Sequence, residues 1–174
     1  MILTDKKVII LVETLYNELE FWYPYYRLRE EGVEVCVVGP EAGGEYRSKD
    51  GIAARADMGM NDIKVGEFAG IIIPGGYAPD HMRRHPAMVK MVRDLHAAGK
   101  VVAAICHAGW MLASADIIKG KTVTGFFSIK DDLVHAGAKF VDQEVVADGN
   151  LVTSRKPDDL PAFMKVILQK LAAS

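Results

Sequence analysis

The sequence has few of the residues that mark specialised protein classes. Cys36 and Cys106 are its only two cysteines in 174 residues, which excludes a disulfide framework and indicates a reducing, cytoplasmic setting. A formal net charge of −2 provides no basic surface for nucleic acid. No apolar run approaches the roughly 18–20 residues that cross a bilayer, and the N-terminus has no signal-peptide pattern. We therefore expect one cytoplasmic domain over residues 1–174 with neither a nucleic-acid nor a membrane partner.

Signatures of cofactor binding are also missing from the sequence. There is no G-x-x-x-x-G-K-[ST] phosphate loop, and the glycines that follow Gly39 do not form G-x-G-x-x-G. His81 and His85 are four residues apart, as metal ligands on a helix often are, but no third ligand accompanies them. The sequence predicts no cofactor and no metal, so its own side chains must supply any chemistry.

The order of apolar runs predicts an α/β fold. Helical patterns alternate with the runs, and Asp148–Gly149 between two further runs predicts a hairpin. We expect Asp158 or Asp159 to cap the last helix. Strands that alternate with helices imply a three-layer α/β/α sandwich with a mostly parallel sheet. Four continuous runs are typical of buried parallel strands: Lys7–Val12, Val33–Val38, Phe68–Ile73 and Val101–Ile105.

Cys106 lies where a nucleophile would be expected. It ends the run Val101–Ile105, and the small residues Ala108 and Gly109 follow before a new helical pattern begins. This order predicts a strand-turn-helix elbow, the geometry that lifts the nucleophile of a G-x-S-x-G motif out of its sheet. Unpaired N–H groups at the helix start would favour the thiolate over the thiol. The alternative is a cysteine that only packs in the core, which is the role we expect for Cys36.

Three polar segments follow the carboxyl ends of predicted strands. Ligands bind at this edge of an open parallel sheet, so we expect the segments to meet there. Gly75 and Gly76 would allow backbone N–H groups to approach a substrate oxygen, with the N–H of His107 completing an oxyanion hole. The alternative for the two glycines is a plain turn that requires positive φ. The segments are Glu13–Glu20, Pro74–Asp80 and Cys106–His107.

Several short segments resemble one family in order and spacing. They are Ile73–Gly76, Ala104–His107, Ile129–Asp132 and Val152–Arg155, joined by Tyr23–Pro24 near the N-terminus. Together they resemble the PfpI/ThiJ family of class I glutamine amidotransferase-like proteins, and most closely its PfpI intracellular protease branch, over about residues 7–170. The resemblance implies a flavodoxin-like sandwich with a nucleophile elbow at Cys106 and a strained backbone there. It also implies a homo-oligomer, either a dimer or a dimer-based hexamer.

The resemblance assigns roles to individual side chains. Cys106 would be the nucleophile, and His107 its acid/base group, oriented by an acidic residue of a neighbouring subunit. The matching position is Asp80, where the archetype has the longer Glu. Glu20 would hydrogen-bond to the sulfur, and Glu18 matches an acidic position that would share the region. The alternatives are a packing role for His107 and solvated first-turn carboxylates for the two glutamates.

Two departures from the archetype affect the expected substrate site. Phe126 stands where the archetype carries a tyrosine, so a hydroxyl that could hydrogen-bond to substrate is lost. Ala108 and Gly109, followed by Trp110, replace the Gly-Pro of the archetype. We expect Phe126 and Trp110 to line the site, although Trp110 would alternatively pack beneath the elbow.

These observations leave three functions open. The leading one is a cysteine-dependent hydrolase, peptidase- or amidase-like, acting on a peptide or small-molecule substrate. The second is a cofactor-independent glyoxalase or deglycase that acts on methylglyoxal-type dicarbonyls through Cys106 and Glu20. The third is a non-enzymatic redox sensor or chaperone-like stress protein, in which Cys106 would oxidise to the sulfinate.

Overall fold

A computed structural model describes residues 3–174. Met1 and Ile2 lie outside the described residues. They begin the segment in which we expected no signal-peptide pattern. The strands are β1 Lys7–Leu11, β2 Glu34–Gly39, β3 Glu45–Arg47, β4 Ala53–Arg55, β5 Met58–Gly59, β6 Gly70–Ile73, β7 Val101–Ile105, β8 Thr122–Val123, β9 Lys139–Phe140, β10 Val145–Asp148 and β11 Leu151–Ser154. The α-helices are α1 Glu18–Glu30, α2 Ala78–Met82, α3 Pro86–Ala97, α4 Gly109–Ser114, α5 Lys130–His135 and α6 Leu160–Ala173.

The central sheet has the strand order β10-β11-β7-β6-β1-β2-β5. Its neighbouring strands are parallel except for β10 and β11, which form the antiparallel hairpin predicted at Asp148–Gly149. Strands β6 and β7 are buried at every residue, and β1 is buried at all but its first. Such strands have no solvent face, which is why their sequences are continuous apolar runs rather than alternating ones. The prediction of a mostly parallel sheet is confirmed.

Helices form a layer on each face of this sheet. Helix α1 packs against β2 and α6, and α6 packs against β7, β10 and β11. Helices α3 and α4 pack against each other and against β7, with α2 and α5 against α4. The predicted three-layer α/β/α sandwich is therefore confirmed. Of the helices in residues 3–174, none is long and apolar enough to cross a membrane.

The N-cap position of α6 falls on Asp159, one of the two residues predicted for it, but the side chain makes no capping hydrogen bond. The carboxylate instead accepts hydrogen bonds from Nε and Nη2 of Arg155, at 2.8 and 3.0 Å. A bidentate bond from a charged guanidinium is stronger than one from a backbone N–H, so it decides where the carboxylate points.

The polar segments that follow β1, β6 and β7 meet at the carboxyl edge of the sheet, as predicted. After β1 the chain builds outward through β2, and it later returns to place β6 on the other side of β1. This reversal is a topological switch point, where open α/β sheets leave a crevice. Two hydrogen bonds join the loops across it: the Asn17 N–H donates to the Gly75 carbonyl at 3.1 Å, and the Tyr77 N–H to the Leu15 carbonyl at 2.9 Å.

Asn17 determines where α1 begins, and its loss should lower stability. Its Oδ1 accepts hydrogen bonds from the N–H groups of Leu19 and Glu20, at 3.1 and 3.3 Å. We expect Asn17→Ala to lower the free energy of unfolding by about 1 kcal/mol, measured by urea denaturation, because these two donors lose their acceptor. Asn17→Ser keeps a capping oxygen and should lose less; an equal loss in both variants would contradict the capping role.

Candidate active site

Cys106 lies in a sharp elbow between β7 and α4. Its φ is 62°, in the left-handed region that costs a non-glycine residue on the order of 1–3 kcal/mol. A single 3-10 turn, Cys106–Ala108, leads directly into α4. Gly109 fits beneath the elbow because a Cβ there would lie 2.9 Å from a Leu133 methyl group. The elbow and the strained backbone that the resemblance implied are both present.

Glu20 brings a fully buried carboxyl to the elbow. Its Oε2 accepts a hydrogen bond from the Gly75 N–H at 2.7 Å, whereas Oε1 is buried with no hydrogen-bond partner among the described residues. A Cβ on Gly75 would lie 2.6 Å from that Oε2 and 2.7 Å from the Cys106 Cβ. The carboxyl and the cysteine therefore pack against the same glycine. Burial raises the pKa of Glu20 from its ordinary 4.5 to about 7.

Burial works against the thiolate that the sequence pattern favours at Cys106. Burial, followed by the nearby charge of Glu20, raises the pKa of Cys106 to about 12. The N–H groups of His107 and Gly76 lower it, but by less. Cys106 is only 7% exposed, so the helix start that we expected to stabilise a thiolate does not offset the loss of water around the sulfur. A cysteine with a raised pKa needs a nearby base to give up its proton.

His107 is placed to act as that base. Its Nδ1 is 3.2 Å from the Cys106 Sγ, because the positive φ of Cys106 turns the two neighbouring side chains toward one side of the elbow. Burial lowers the pKa of His107 below its ordinary value, which favours the neutral imidazole that can accept a proton. Phe126 stacks on the imidazole at 4.9 Å between ring centres, and Trp110 meets it edge-on at 5.2 Å.

The three backbone donors predicted for an oxyanion hole do not all remain free. The Gly75 N–H is bonded to Glu20, which leaves the N–H groups of Gly76 and His107 facing the sulfur. Gly76 has a φ of 74°, and a Cβ there would lie 2.5 Å from the Leu15 carbonyl oxygen. Gly76 therefore provides the turn with positive φ and also directs its N–H toward the sulfur. Gly75 instead allows the close approach of Glu20.

The two remaining acidic candidates pair with basic side chains of the same chain. Asp80 lies on α2, where it is half-exposed and forms an ion pair with Arg84 of its own chain. Within residues 3–174 it makes no hydrogen bond to His107, and its action on a neighbouring subunit stays a prediction. Glu18 is 3.5 Å from the Lys49 ammonium, and its charge contributes to the raised pKa of Glu20.

The aromatic candidates line the approach to His107. Trp110 donates from Nε1 to the Asp132 carboxylate at 2.8 Å, and the Arg83 guanidinium lies 5.9 Å from its ring centre. Trp110 thus stands beside the imidazole, half-buried, instead of beneath the elbow. Phe126 separates His107 from a neighbouring cavity of about 380 Å³, which Phe127 and other residues line.

The sequence analysis missed two contacts. The Ser128 Oγ is 3.2 Å from His107 Nε2, on the side of the ring opposite the cysteine. His85 Nε2 is 2.9 Å from the Glu13 carboxylate. One of the two histidines considered as metal ligands therefore already has a carboxylate partner. Neither contact has a local sequence signal, because the partners are 21 and 72 residues apart. In the part of the chain that the structure describes, no three His, Cys, Asp or Glu side chains form a group that could hold a metal ion.

Known proteins match this chain along almost its whole length. A model described as the DJ-1/PfpI family matches residues 6–170. Deglycase PfpI of Pyrococcus furiosus is 38% identical over 165 residues, 95% of this chain and 99% of the relative. YraA of Bacillus subtilis, which carries the provisional name of cysteine protease, is 37% identical over 167 residues, 96% of this chain and 99% of the relative. A two-domain protein from Anabaena variabilis with DJ-1/ThiJ/PfpI-like and ferritin-like domains has a TM-score of 0.94 and 42% identity, covering 96% of this chain and 48% of that one.

The raised pKa of Glu20 should appear as a loss of stability with increasing pH. The neutral carboxyl is favoured in the folded state, so its contribution is complete below pH 4.5 and is lost as pH rises through about 7. Urea denaturation at pH 5 and pH 8 should show wild type losing about 2.5 kcal/mol more than Glu20→Gln, which cannot ionise. Glu30→Gln, on the same helix, should follow wild type; parallel curves for wild type and Glu20→Gln would contradict the assignment.

The close approach at Gly75 should tolerate no side chain. An added Cβ would meet Glu20 and Cys106 at under 3 Å and the His107 nitrogen at 3.1 Å. We expect Gly75→Ala to cost about 1–3 kcal/mol of unfolding free energy by thermal or urea denaturation, because the elbow and α1 must separate. At Gly66 a Cβ would have nothing within 4 Å, so Gly66→Ala is the matched control. Equal effects in the two variants would show that Gly75 is not a tight contact.

Proposed function

Because the chain belongs to the DJ-1/PfpI family, we propose that it is a cofactor-independent enzyme of the deglycase or glyoxalase type. Its substrates would be small dicarbonyls such as methylglyoxal and the adducts that they form with amines. The observation that supports this proposal is the fully buried carboxyl of Glu20, which packs against the same glycine as the reactive Cys106. A relative that is 38% identical carries the name of a deglycase.

A neutral thiol at the elbow suits an aldehyde better than an amide. Cys106 has a raised pKa and must lose its proton during the attack, to Nδ1 of His107 at 3.2 Å. An aldehyde carbon is more electrophilic than an amide carbon, and addition to it expels no amine. With Cys106 only 7% exposed, a small dicarbonyl also reaches the sulfur more readily than a folded polypeptide does.

The reaction would proceed through a hemithioacetal. The sulfur of Cys106 bonds to the aldehyde carbon, and its proton passes through His107 to the carbonyl oxygen. The carboxylate of Glu20 then takes the hydrogen of that carbon as a proton, and a proton is returned to the neighbouring carbon, giving the thioester of a 2-hydroxy acid. Water cleaves the thioester, releasing the hydroxy acid and restoring the thiol. With an amine adduct, the sulfur displaces the amine from the carbinolamine, and His107 protonates the leaving nitrogen.

The pKa of Glu20 supports its part in this sequence. A value of about 7 leaves both the acid and the carboxylate populated near neutral pH, so the group can take up a proton and return it. Peptide hydrolysis, the function that the sequence placed first, has support at the level of the family and from the provisional name of one relative. In peptide hydrolysis His107 would protonate the leaving amine, but no step of that reaction would use the buried carboxyl of Glu20.

Turnover of matched substrates should test this proposal. We expect Cys106-dependent loss of methylglyoxal and formation of lactate, with Cys106→Ala slower by more than about a hundredfold. Cys36→Ala is the control for loss of a thiol elsewhere, since Cys36 lies in β2. Cleavage of a fluorogenic peptide amide is measured in parallel; peptide cleavage that depends on Cys106, without loss of methylglyoxal, would replace this proposal with the peptidase function.

The same assay separates the deglycase from the glyoxalase. Methylglyoxal is equilibrated with increasing concentrations of an amine such as Nα-acetyl-lysine, and the free dicarbonyl is measured separately. A rate that follows the adduct concentration supports direct action on the adduct, whereas a rate that follows only free methylglyoxal supports the glyoxalase. If neither substrate turns over, the enzyme proposal fails, and oxidation of Cys106 by mild peroxide, read by mass spectrometry, tests the redox-sensor alternative.

A further inference from the structure

The imidazole of His107 has a hydrogen-bonding partner at each nitrogen. Nδ1 is 3.2 Å from the Cys106 Sγ, and Nε2 is 3.2 Å from the Ser128 Oγ. Phe126 stacks on the ring with an angle of 28° between the planes, so the ring is held on its face as well as at its edges. A base whose far nitrogen is held by a third group is the arrangement by which nucleophiles are activated in hydrolases and transferases.

We infer that Ser128 orients His107 and fixes its tautomer, so that Cys106, His107 and Ser128 form a complete proton-transfer set within one chain. To take the proton of Cys106, Nδ1 must carry a lone pair, and the hydrogen of the neutral ring must then be on Nε2. The hydroxyl oxygen of Ser128 can accept a hydrogen bond from that N–H. After the transfer both ring nitrogens carry hydrogens, and Ser128 still accepts from Nε2. This inference rests on the proposed function only in giving His107 the role of base for Cys106.

The backbone fixes Ser128 relative to the nucleophile. The Phe126 N–H donates to the carbonyl oxygen of Cys106 at 3.2 Å, and the Ile129 N–H donates to Phe126 at 3.1 Å. Ser128 lies in the 3-10 turn Phe127–Ile129, and the buried Ile129 anchors the end of this turn in the core. The position of the hydroxyl therefore follows from the position of the elbow, although Ser128 itself is exposed.

Asp80, the residue that the family resemblance assigns to this role, has a different partner in its own chain. Its carboxylate forms an ion pair with Arg84, which lies four residues further along the chain, just beyond the C-terminal end of α2. To serve a neighbouring subunit it would have to exchange this partner for His107 across an interface. Ser128 makes its contact without a second subunit, so the two assignments differ in what they require and can be separated by experiment.

The test measures the tautomer of His107 and the reactivity of the Cys106 thiol, neither of which depends on turnover of a dicarbonyl. In a Cys36→Ala background, the rate of alkylation of Cys106 by iodoacetamide is measured against pH for wild type, Ser128→Ala, Ser128→Thr and Asp80→Asn. Nitrogen-15 NMR identifies the neutral tautomer of His107, whose signals are assigned by their loss in His107→Gln. Circular dichroism confirms that each variant is folded, and Ser128→Gly serves as a second deletion of the hydroxyl.

We expect Ser128→Ala to slow alkylation at pH 7 by about tenfold, because a hydrogen bond to a group that becomes charged is lost. His107 should shift from the Nε2–H tautomer toward Nδ1–H, and Ser128→Thr, which keeps the hydroxyl, should restore both the rate and the tautomer. Retention of the Nε2–H tautomer and of the wild-type rate in Ser128→Ala would overturn the inference. Slowing in Asp80→Asn without slowing in Ser128→Ala would likewise overturn it and assign the orientation to a neighbouring subunit. Either result leaves the proposed function to its own test.

Discussion

The hydrogen bond from the Gly75 N–H to the buried carboxyl of Glu20 joins the two halves of the site. Glu20 belongs to α1, and Gly75 to the loop after β6, 55 residues away. Because Gly75 has no side chain, the carboxyl can lie against both its backbone and Cys106. The start of α1, the loop after β6 and the elbow after β7 therefore have to be in place together, and none of them can move without exposing or straining the carboxyl.

This arrangement divides the chemistry among groups whose protonation states are set by burial. The low exposure of the site raises the pKa of Cys106, lowers that of His107 and raises that of Glu20 to about 7. The protonation of Glu20 and that of Cys106 are linked, since the charge of Glu20 itself raises the pKa of Cys106.

The parts of the molecule that sequence predicts well are those governed by continuous burial. The runs that became β1, β6 and β7 lack any polar face, and their order along the chain required a parallel sheet whose carboxyl edge collects Glu20, Gly75 and Cys106. The resemblance then predicted the strained backbone of Cys106.

Contacts between residues that are far apart in the sequence could not be predicted from burial patterns. Ser128 meets His107 across 21 residues, and Glu13 meets His85 across 72, with no periodicity or spacing to mark either pair. The raised pKa of Cys106 was not predicted because the pattern of a helix start is visible in sequence, whereas the depth at which the sulfur is buried is not. Asp159 failed as a cap for a related reason, since its stronger partner, Arg155, was not considered as a competitor for its carboxylate.

The positive φ of Cys106 has a consequence for how this chain can change over evolutionary time. Glycine would adopt the same backbone without strain, so a copy with glycine at this position would be relieved of that strain as it lost its sulfur. The backbone conformation therefore does not by itself favour cysteine at this position. Persistence of cysteine at this elbow along a lineage is evidence of selection on its chemistry, and a lineage with glycine there has been released from that selection.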